Sequence, residues 1–333
     1  MSSAASTPLD SPTGTAPVPP STDAARLERA LFEIKRVIVG QDRLVERMLV
    51  AVLARGHVLL EGVPGVAKTL AVETLARVVG GKFARLQFTP DLVPADIIGT
   101  RIYKAGQDAF DVELGPVFAN FVLTDEVNRA PAKVQSALLE VMAEQQVSIG
   151  GVTHRLPDPF LVLATQNPIE SEGVYPLPEA QRDRFLVHVA IGYPDEAQER
   201  AMLRLARRGL KPIGLDDVQP VADAEALRAA REEVDATEVS DEVVGYVVAL
   251  VRRTRQLPSV HLGASPRAAV HLLAAAKAAA RLAGRGYVTP DDVRRMAPPV
   301  LRHRLVLTTE AELERATPGG AIRAALEDVP VPR

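Results

Sequence analysis

The sequence predicts an α/β fold, in which a parallel β-sheet is covered by helices on both faces and is followed by a smaller helical domain. Short apolar and β-branched runs alternate with helical periodicity from about residue 57 to residue 191, which is typical of strand–helix–strand units. The strand pattern stops near Pro194, and helical stripes rich in Ala, Leu and Arg follow. At 333 residues, the chain is long enough for one large core and one smaller domain.

The predicted organisation has three parts. Residues 1–22 are rich in Ser, Thr, Pro and Ala and lack hydrophobic periodicity, so we expect a disordered tail. This stretch also lacks the basic start and the apolar segment of a secretory signal. The sheet-containing core is expected at residues 23–193, and the helical domain at residues 194–333.

Composition argues against several classes of protein. The hydrophobic fraction is 47%, but no run is long enough to span a membrane. There is no cysteine and the six histidines are scattered, so thiolate metal sites are excluded and a reducing cytoplasm is the expected compartment. The net charge is −3 and the aromatic content is 4%, which indicates neither a phosphate-tracking surface nor a base-stacking platform. Nucleic acid is therefore not an expected partner.

The most informative stretch is a glycine-containing loop between a predicted strand and a predicted helix, Glu61-Gly-Val-Pro-Gly-Val-Ala-Lys-Thr69. It meets the pattern GxxxxGK[ST] except at one position, where Ala67 replaces a glycine. Small residues let backbone N–H groups turn toward an anionic ligand, and the helix that begins at Lys68 adds the positive end of its dipole. The loop predicts a nucleoside triphosphate site of the P-loop NTPase type, formed by Gly62, Val63, Pro64, Gly65, Val66, Ala67, Lys68, Thr69 and Leu70.

Two side chains of this loop are expected to carry its chemistry. Lys68 can reach the β- and γ-phosphates as a mobile positive charge, and the Thr69 hydroxyl is placed to coordinate Mg²⁺. The alternative is a glycine-rich turn before a surface helix, which the preceding strand and the motifs that follow disfavour.

An acidic pair ends a predicted strand that is apolar or β-branched at every position, Phe121-Val-Leu-Thr124. Ligands bind at the carboxyl ends of strands in open α/β sheets, so Asp125 is expected to hold Mg²⁺ and Glu126 to polarise the attacking water. The alternative is that the two acids cap a helix. Downstream of a phosphate loop, the sequence favours the catalytic interpretation.

Three further side chains are candidates for the same chemistry. Asn167 follows the next buried strand, and its amide can orient a water by donating and accepting at once, although Asn-Pro is also an ordinary turn. Arg184 and Arg267 are candidates for stabilising charge on the transferred phosphoryl group. An arginine is more often a solvated side chain or half of a local ion pair, and spacing alone does not separate these alternatives.

Two β-hairpins are predicted outside the main sheet. One lies around Gly106 beside a short helix, and the other covers Val147–Leu156 with Gly150-Gly151 as its turn. Loops tolerate exposure and a ring would bring several copies to one axis, so both hairpins are candidates for contact with a substrate. Plain surface turns are the alternative.

These motifs together resemble the AAA+ ATPases, and in particular the MoxR family. The resemblance covers the chain from about Phe32 to its end and implies a P-loop NTPase αβα core with a parallel sheet plus a C-terminal α-helical lid. Alanine before the lysine of the phosphate loop is itself usual in that family. The other specific parts are Asp125-Glu-Val-Asn-Arg-Ala-Pro131, Ala164-Thr-Gln-Asn-Pro168 and Tyr175-Pro-Leu-Pro-Glu-Ala-Gln181.

The resemblance implies roles for the residues at these positions. Lys68 and Thr69 belong to the Walker A motif of the family. Asp125 and Glu126 correspond to Walker B, and Asn167 corresponds to sensor 1.

The same resemblance makes Arg184 the arginine finger and Arg267 the sensor 2 residue. The family commonly has leucine at the position of Arg182, so Arg182 and Arg184 both stand as candidates for the finger that acts on a neighbouring subunit. Contact with adenine is implied for Val39, Gly40 and Gln41.

The family further implies ATP and Mg²⁺ bound between core and lid, assembly as a homo-oligomeric ring, usually of six, and a chaperone-like role toward proteins with a von Willebrand factor A domain. We therefore expect an Mg²⁺-dependent ATPase that couples hydrolysis to remodelling of a partner protein. A DNA-dependent motor is one alternative, which the balanced charge and scarce aromatics disfavour. A nucleotide-gated scaffold with little turnover is another, although a pure binding module has no need of a base such as Glu126.

Overall fold

The structure is a computed structural model that describes residues 22–38, 40–63, 66, 68–106, 108–167, 175–207 and 215–332. The predicted disordered tail lies outside the described residues, apart from Thr22. That residue begins the first helix instead, a difference of the size expected at helix ends. No helix in the described part of the chain is long and apolar enough to cross a membrane.

The core alternates helices and strands as the sequence predicts. Its elements in chain order are α1 (Thr22–Val37), α2 (Asp42–Leu53), β1 (Val58–Gly62), α3 (Lys68–Val79), β2 (Phe83–Gln87), α4 (Pro94–Ile98), β3 (Gly99–Lys104), β4 (Ala109–Leu114), β5 (Phe121–Asp125), α5 (Ala132–Glu144), β6 (Gln146–Ile149), β7 (Val152–Arg155), β8 (Leu161–Gln166), α6 (Glu179–Arg182) and β9 (Val187–Ile191).

The helical domain, or lid, contains α7 (Glu196–Arg207), α8 (Ala224–Asp235), α9 (Asp241–Thr254), β10 (Val260–Leu262), α10 (Pro266–Leu282), α11 (Pro290–Leu301), β11 (Val306–Leu307), α12 (Thr309–Leu313) and α13 (Pro318–Asp328). The prediction that strands stop after the core was therefore incomplete, because β10 and β11 pair antiparallel within the lid. Strands of three and two residues are too short to produce a recognisable alternation in the sequence.

The main sheet is parallel, with strand order β2-β5-β8-β1-β9. Every residue of β5 is buried, as expected of a central strand with helices on both faces. Because all five strands run the same way, their carboxyl ends meet at one edge of the sheet. This edge carries Gly62 at the end of β1, Asp125 at the end of β5, and Asn167 directly after β8.

Both predicted hairpins are present, as the antiparallel pairs β3–β4 and β6–β7. They touch through Arg101, since a Cβ on Gly150 would lie only 1.9 Å from the Cδ of Arg101. The guanidinium of Arg101 also lies 4.6 Å from the ring centroid of Phe110. Phe110 in turn packs against Tyr103, and both aromatic rings remain largely exposed.

The segment after β8 differs from its prediction. A helix is expected over Pro176–Phe185, but α6 is a single turn at Glu179–Arg182. Leu177 precedes a proline, which disfavours helical backbone at that residue. Pro178 itself has an extended backbone with ψ near 154°, so the helix begins only after it. Arg184 therefore lies in the connection between α6 and β9.

The lid packs against the side of the core. Helix α10 contacts α2, and α11 contacts β9. A buried arginine, Arg231 of α8, reinforces this contact by donating to the carbonyl oxygen of Val52 at 2.9 Å and to Asp158 Oδ1 at 2.7 Å. A second contact between lid and core is made by Asp183, whose carboxylate accepts from Ser265 and Arg304 of the lid.

Candidate active site

The phosphate loop joins β1 to α3. Gly62 ends β1, and a Cβ at this position would lie 2.7 Å from the carbonyl oxygen of Ile191 on β9. This glycine is thus required by strand packing, a reason that the sequence motif does not reveal. The predicted loop residues Pro64, Gly65 and Ala67 lie outside the described residues, as does Val39 of the predicted adenine contact.

Gly40, also predicted to contact adenine, has a backbone φ of +79° and lies against Gln198 of the lid helix α7. A Cβ at Gly40 would lie 2.6 Å from the side-chain carbon Cδ of Gln198. Gln41 follows as the residue that precedes α2, with no side-chain cap hydrogen bond. The segment before α2 therefore meets the lid close to the start of α7.

Lys68 opens α3, and its Nζ donates to the carbonyl oxygen of Gly62 at 2.7 Å. Burial lowers the pKa of Lys68, while the negative charges of Asp125 and Glu126 act in the opposite direction. The lysine therefore lies within electrostatic reach of both acids at the carboxyl edge of the sheet. Thr69 occupies the next position in the first turn of α3 and is half-buried.

Asp125 is buried at the end of β5 and, within the described residues, its carboxylate accepts from two side chains. Its Oδ2 accepts from Arg85 Nε at 2.7 Å, and its Oδ1 accepts from Thr165 Oγ1 at 3.2 Å. The sheet register causes the first contact, because β2 pairs with β5 and places Arg85 two residues from the partner of Asp125. Arg85 thus forms an ion pair with Asp125 in this structure.

Glu126 adopts a left-handed backbone with φ of 57°, which is uncommon for a residue with a side chain. Its backbone N–H donates to Thr165 Oγ1 at 2.9 Å, so β8 fixes the turn. The carboxylate accepts from Gln87 Nε2 at 2.9 Å and pairs with Arg129 Nε at 3.0 Å. Glu126 precedes a short 3-10 turn but makes no side-chain cap hydrogen bond, so helix capping is not what this acid does here.

Asn167 is buried directly after β8, the strand that pairs with β5. The structure thus brings Lys68, Asp125, Glu126 and Asn167 to one edge of the sheet, as expected from the sequence. A triphosphate with Mg²⁺ suits this edge, because Thr69 and Asp125 offer the hydroxyl and carboxylate oxygens that Mg²⁺ prefers. Within the described residues there is no cluster of three or more metal-binding side chains, so phosphate and water would complete the coordination.

Arg184 and Arg267 do not lie at the carboxyl edge of the sheet. Together with Gly56 and His57, which precede β1, they line a cavity of about 470 Å³. This cavity lies at the amino edge of the sheet, whereas Lys68 follows the carboxyl end of β1. Four residue steps along β1 separate the edges by roughly 13 Å. Arg184 and Arg267 therefore lie close to each other and away from the phosphate loop of their own subunit.

The competing finger candidate, Arg182, is the last residue of α6. Its Nη2 lies 3.5 Å from Glu179 Oε1, one helical turn earlier. Its Nε is buried and finds no hydrogen-bond partner among the described residues. Arg184, which lines the cavity, instead donates through Nη1 to the carbonyl oxygen of Leu139.

Known proteins resemble this chain over most of its length. A family model described as "ATPase family associated with various cellular activities (AAA)" matches residues 57–187, and an AAA lid domain model matches residues 252–325. A Mycobacterium tuberculosis protein named Chaperone MoxR1 is 57% identical over 317 residues, which cover 92% of this chain and 82% of that protein. The chain belongs to the MoxR family of AAA+ ATPases.

Two further relatives of this MoxR-family protein agree with that assignment. YeaC of Bacillus subtilis is 46% identical over 306 residues, covering 92% of this chain and 95% of YeaC. A crystal structure from Cytophaga hutchinsonii, described as a proposed ATPase, is 42% identical with a TM-score of 0.86 and covers 93% of this chain and 96% of that chain. The expected family and the expected P-loop core with a helical lid are both confirmed.

Sequence reasoning missed several neighbours of the MoxR-family site. Arg85 and Gln87 occupy alternate positions on one face of β2, and Thr165 lies two residues before Asn167. All three contact the acidic pair. The alternation on β2 was visible in the sequence, but only the pairing of β2 with β5 shows that this face meets Asp125 and Glu126.

Proposed function

We propose that this MoxR-family protein is a cytoplasmic, Mg²⁺-dependent ATPase whose hydrolysis of ATP drives remodelling or maturation of a partner protein. The observation that carries the proposal is the meeting of Lys68 with Asp125 and Glu126 at the carboxyl edge of the sheet. A mobile cation, a metal-binding acid and a candidate base are the groups that phosphoryl transfer to water needs. The name Chaperone MoxR1 of a relative supports the chaperone-like role.

In the proposed reaction, Lys68 would release the carbonyl oxygen of Gly62 and donate to the β- and γ-phosphates instead. Thr69 and Asp125 would hold Mg²⁺, which when bound neutralises phosphate charge. Glu126 would accept a proton from the attacking water, and Asn167 would orient that water. The adenine would lie near Val39, Gly40 and Gln41.

Arg184 and Arg267 would act on the nucleotide of a neighbouring subunit. Both guanidiniums lie at the amino edge of the sheet, too far from the phosphate loop of their own chain. An oligomer in which this edge meets the carboxyl edge of the next copy would bring the two arginines to its γ-phosphate. Such a contact joins two different surfaces, and it generates a ring when the rotation between subunits closes. We propose a closed ring of six subunits.

The partner would contact the two hairpins, and we propose that it contains a von Willebrand factor A domain. The exposed aromatic pair Tyr103 and Phe110 supports this role for the hairpin surface, because aromatic side chains are enriched where proteins bind each other. The contact between Arg101 and Gly150 links the two hairpins, so they would move together.

Glu126→Gln tests the proposed hydrolysis. The amide keeps the shape of the side chain but cannot accept a proton, so turnover should fall about 10²-fold to 10⁴-fold while ATP still binds. Phosphate release and equilibrium binding of ATP would be measured on the same preparation. Glu140→Gln, on the exposed face of α5, is the matched control and should retain full turnover. Wild-type turnover in Glu126→Gln would show that Glu126 is not the base.

A further inference from the structure

Asp183 follows α6 and directly precedes Arg184 in the chain. Its carboxylate contacts the start of the helix that carries Arg267, the second arginine that the proposed function assigns to the neighbouring nucleotide. It accepts from Ser265 Oγ at 2.9 and 3.0 Å through its two oxygens, and Arg267 Nη1 lies 3.6 Å from one of them. Ser265 caps α10, whose first turn contains Arg267. One acid of the core therefore holds the start of the lid helix that carries the second arginine.

A third arginine fixes the acid itself. Arg304 Nε donates to Asp183 Oδ1 at 2.7 Å, and Arg304 Nη2 donates to the backbone carbonyl oxygen of Asp183 at 3.0 Å. The Arg304 side chain is 1% exposed and also contacts Nδ1 of His271 at 2.6 Å. Burial lowers the pKa of Arg304 to about 10, so this buried guanidinium remains charged at neutral pH and requires a counter-charge.

The lid also holds the backbone that follows Arg184. Arg304 donates to the carbonyl oxygens of Phe185 and Leu186, and His303 Nε2 lies 3.1 Å from the Phe185 carbonyl oxygen. The segment on both sides of Arg184 is thus bonded to the lid. Arg267 itself is exposed and lies 3.6 Å from the Asp183 carboxylate, so its direction depends on this contact and on the placement of α10, whose first turn Ser265 ties to Asp183.

We propose that Asp183 is a positioning residue that fixes Arg267 of the lid beside Arg184 of the core, so that the two guanidiniums form one preorganised site for the phosphate of a neighbouring subunit. The proposal rests on the proposed action of these arginines in trans. In this proposal Asp183 does not bind the phosphate or the attacking water itself. It acts by holding the first turn of α10 through Ser265 and Arg267, while Arg304 holds Asp183.

Asp183→Asn removes the charge and keeps the shape. We expect turnover to fall about 10-fold to 100-fold, the loss typical of a catalytic group misplaced by about 1 Å, with the KM for ATP changed less than about threefold. Ser265→Ala leaves the ion pair between Asp183 and Arg304 intact. It is therefore the variant to measure if Asp183→Asn does not fold. It should show a smaller loss in the same direction.

The matched control is Asp158→Asn. Asp158 also pairs a core carboxylate with a buried lid arginine, Arg231, at 2.7 Å. It lies outside the cavity of Arg184 and Arg267. If Asp183 acts only by docking the lid, the two substitutions should lower turnover equally, and that result would overturn the proposal.

The measurement that tests the proposal most directly is the energetic coupling between Asp183 and Arg267 in a double variant. In a background that carries Arg267→Ala, the Asp183→Asn substitution should cost less than about threefold in turnover, because the residue that it positions is already gone. A full loss in that background would overturn the proposal.

Mixtures with Glu126→Gln separate this proposal from the function on which it rests. Asp183→Asn should regain turnover when mixed with Glu126→Gln, as Arg184→Ala should. If only the Arg184→Ala mixture recovers, trans action stands and the role of Asp183 is refuted. If neither mixture recovers although subunits exchange, trans action itself fails and the role of Asp183 falls with it.

Discussion

Replacing Arg85 with methionine should increase the apparent affinity of this ATPase for Mg²⁺. In the structure, Arg85 Nε lies 2.7 Å from Asp125 Oδ2. The proposed metal ligand is therefore occupied by a guanidinium, and Mg²⁺ must compete with it. Arg85→Met removes the competing charge and keeps an unbranched side chain of similar reach on the edge strand β2.

The expected size of the change in Mg²⁺ affinity follows from how exposed the Arg85 and Asp125 side chains are. The Arg85 side chain is 54% exposed and that of Asp125 is 11% exposed, so water screens the pair on the arginine side. Ion pairs of this exposed kind contribute about 0.2–1 kcal/mol. Removing the competition should therefore lower the Mg²⁺ concentration at half-maximal turnover by a factor of about 1.4 to 5.

The assay is a titration of ATP turnover with Mg²⁺ at fixed, saturating ATP. Arg77→Met is the control, because Arg77 of α3 pairs with the fully exposed Asp216 at 3.4 Å and lies outside the acidic pair. Its midpoint should equal that of the wild type. A midpoint more than about tenfold higher in Arg85→Met would refute the reasoning, since Arg85 would then support metal binding instead of competing with it.

Three further outcomes are expected. Lys68→Ala should weaken ATP binding by on the order of tenfold to a hundredfold in titration calorimetry, because it removes a charge-assisted contact of about 1.5–3 kcal/mol; exposed Lys133→Ala should bind normally. Burial lowers the pKa of His57 to about 4, so the unfolded chain binds this proton first, and the contribution of His57 to the free energy of unfolding should fall by roughly 3 kcal/mol between pH 6.5 and 4. His57→Gln should flatten that part of a denaturation profile, whereas exposed His261→Gln should not. Phe110→Ala should keep basal turnover within about twofold and reduce stimulation by a partner protein; loss of ATP binding would place the hairpin in the core.

The order of elements in the core was predictable because strong local signals coincide there. The strand β5 is apolar or β-branched at every position before its acid, and the phosphate loop is bounded by a strand and a helix. The order of the strands in the sheet was not predictable from such local signals. The placement of β8 between β5 and β1 depends on long-range pairing, yet it is what brings Asn167 and Thr165 beside the acidic pair.

The contacts that the sequence did not reveal are those between distant segments. Arg85 meets Asp125 across 40 residues, and Arg304 meets Asp183 across 121 residues. An arginine in isolation looks like a solvated surface residue, and only tertiary packing shows that Arg304 is buried. The separation of Arg184 and Arg267 from the phosphate loop is likewise a property of the sheet, because it follows from the direction of β1.

The most direct test of the account is whether Arg184 acts on a neighbouring subunit. Arg184→Ala should bind ATP normally and lose about 10³-fold to 10⁵-fold in turnover, while Glu126→Gln fails because it lacks the base. Mixed in equal amounts under conditions where subunits exchange, the two inactive variants should regain turnover, since about a quarter of the interfaces would pair an intact Glu126 with an intact Arg184. A mixture that stays inactive, while one with Arg182→Ala in place of Arg184→Ala recovers, would assign the role to Arg182. If both mixtures stay inactive, the claim that one subunit completes the active site of the next is contradicted.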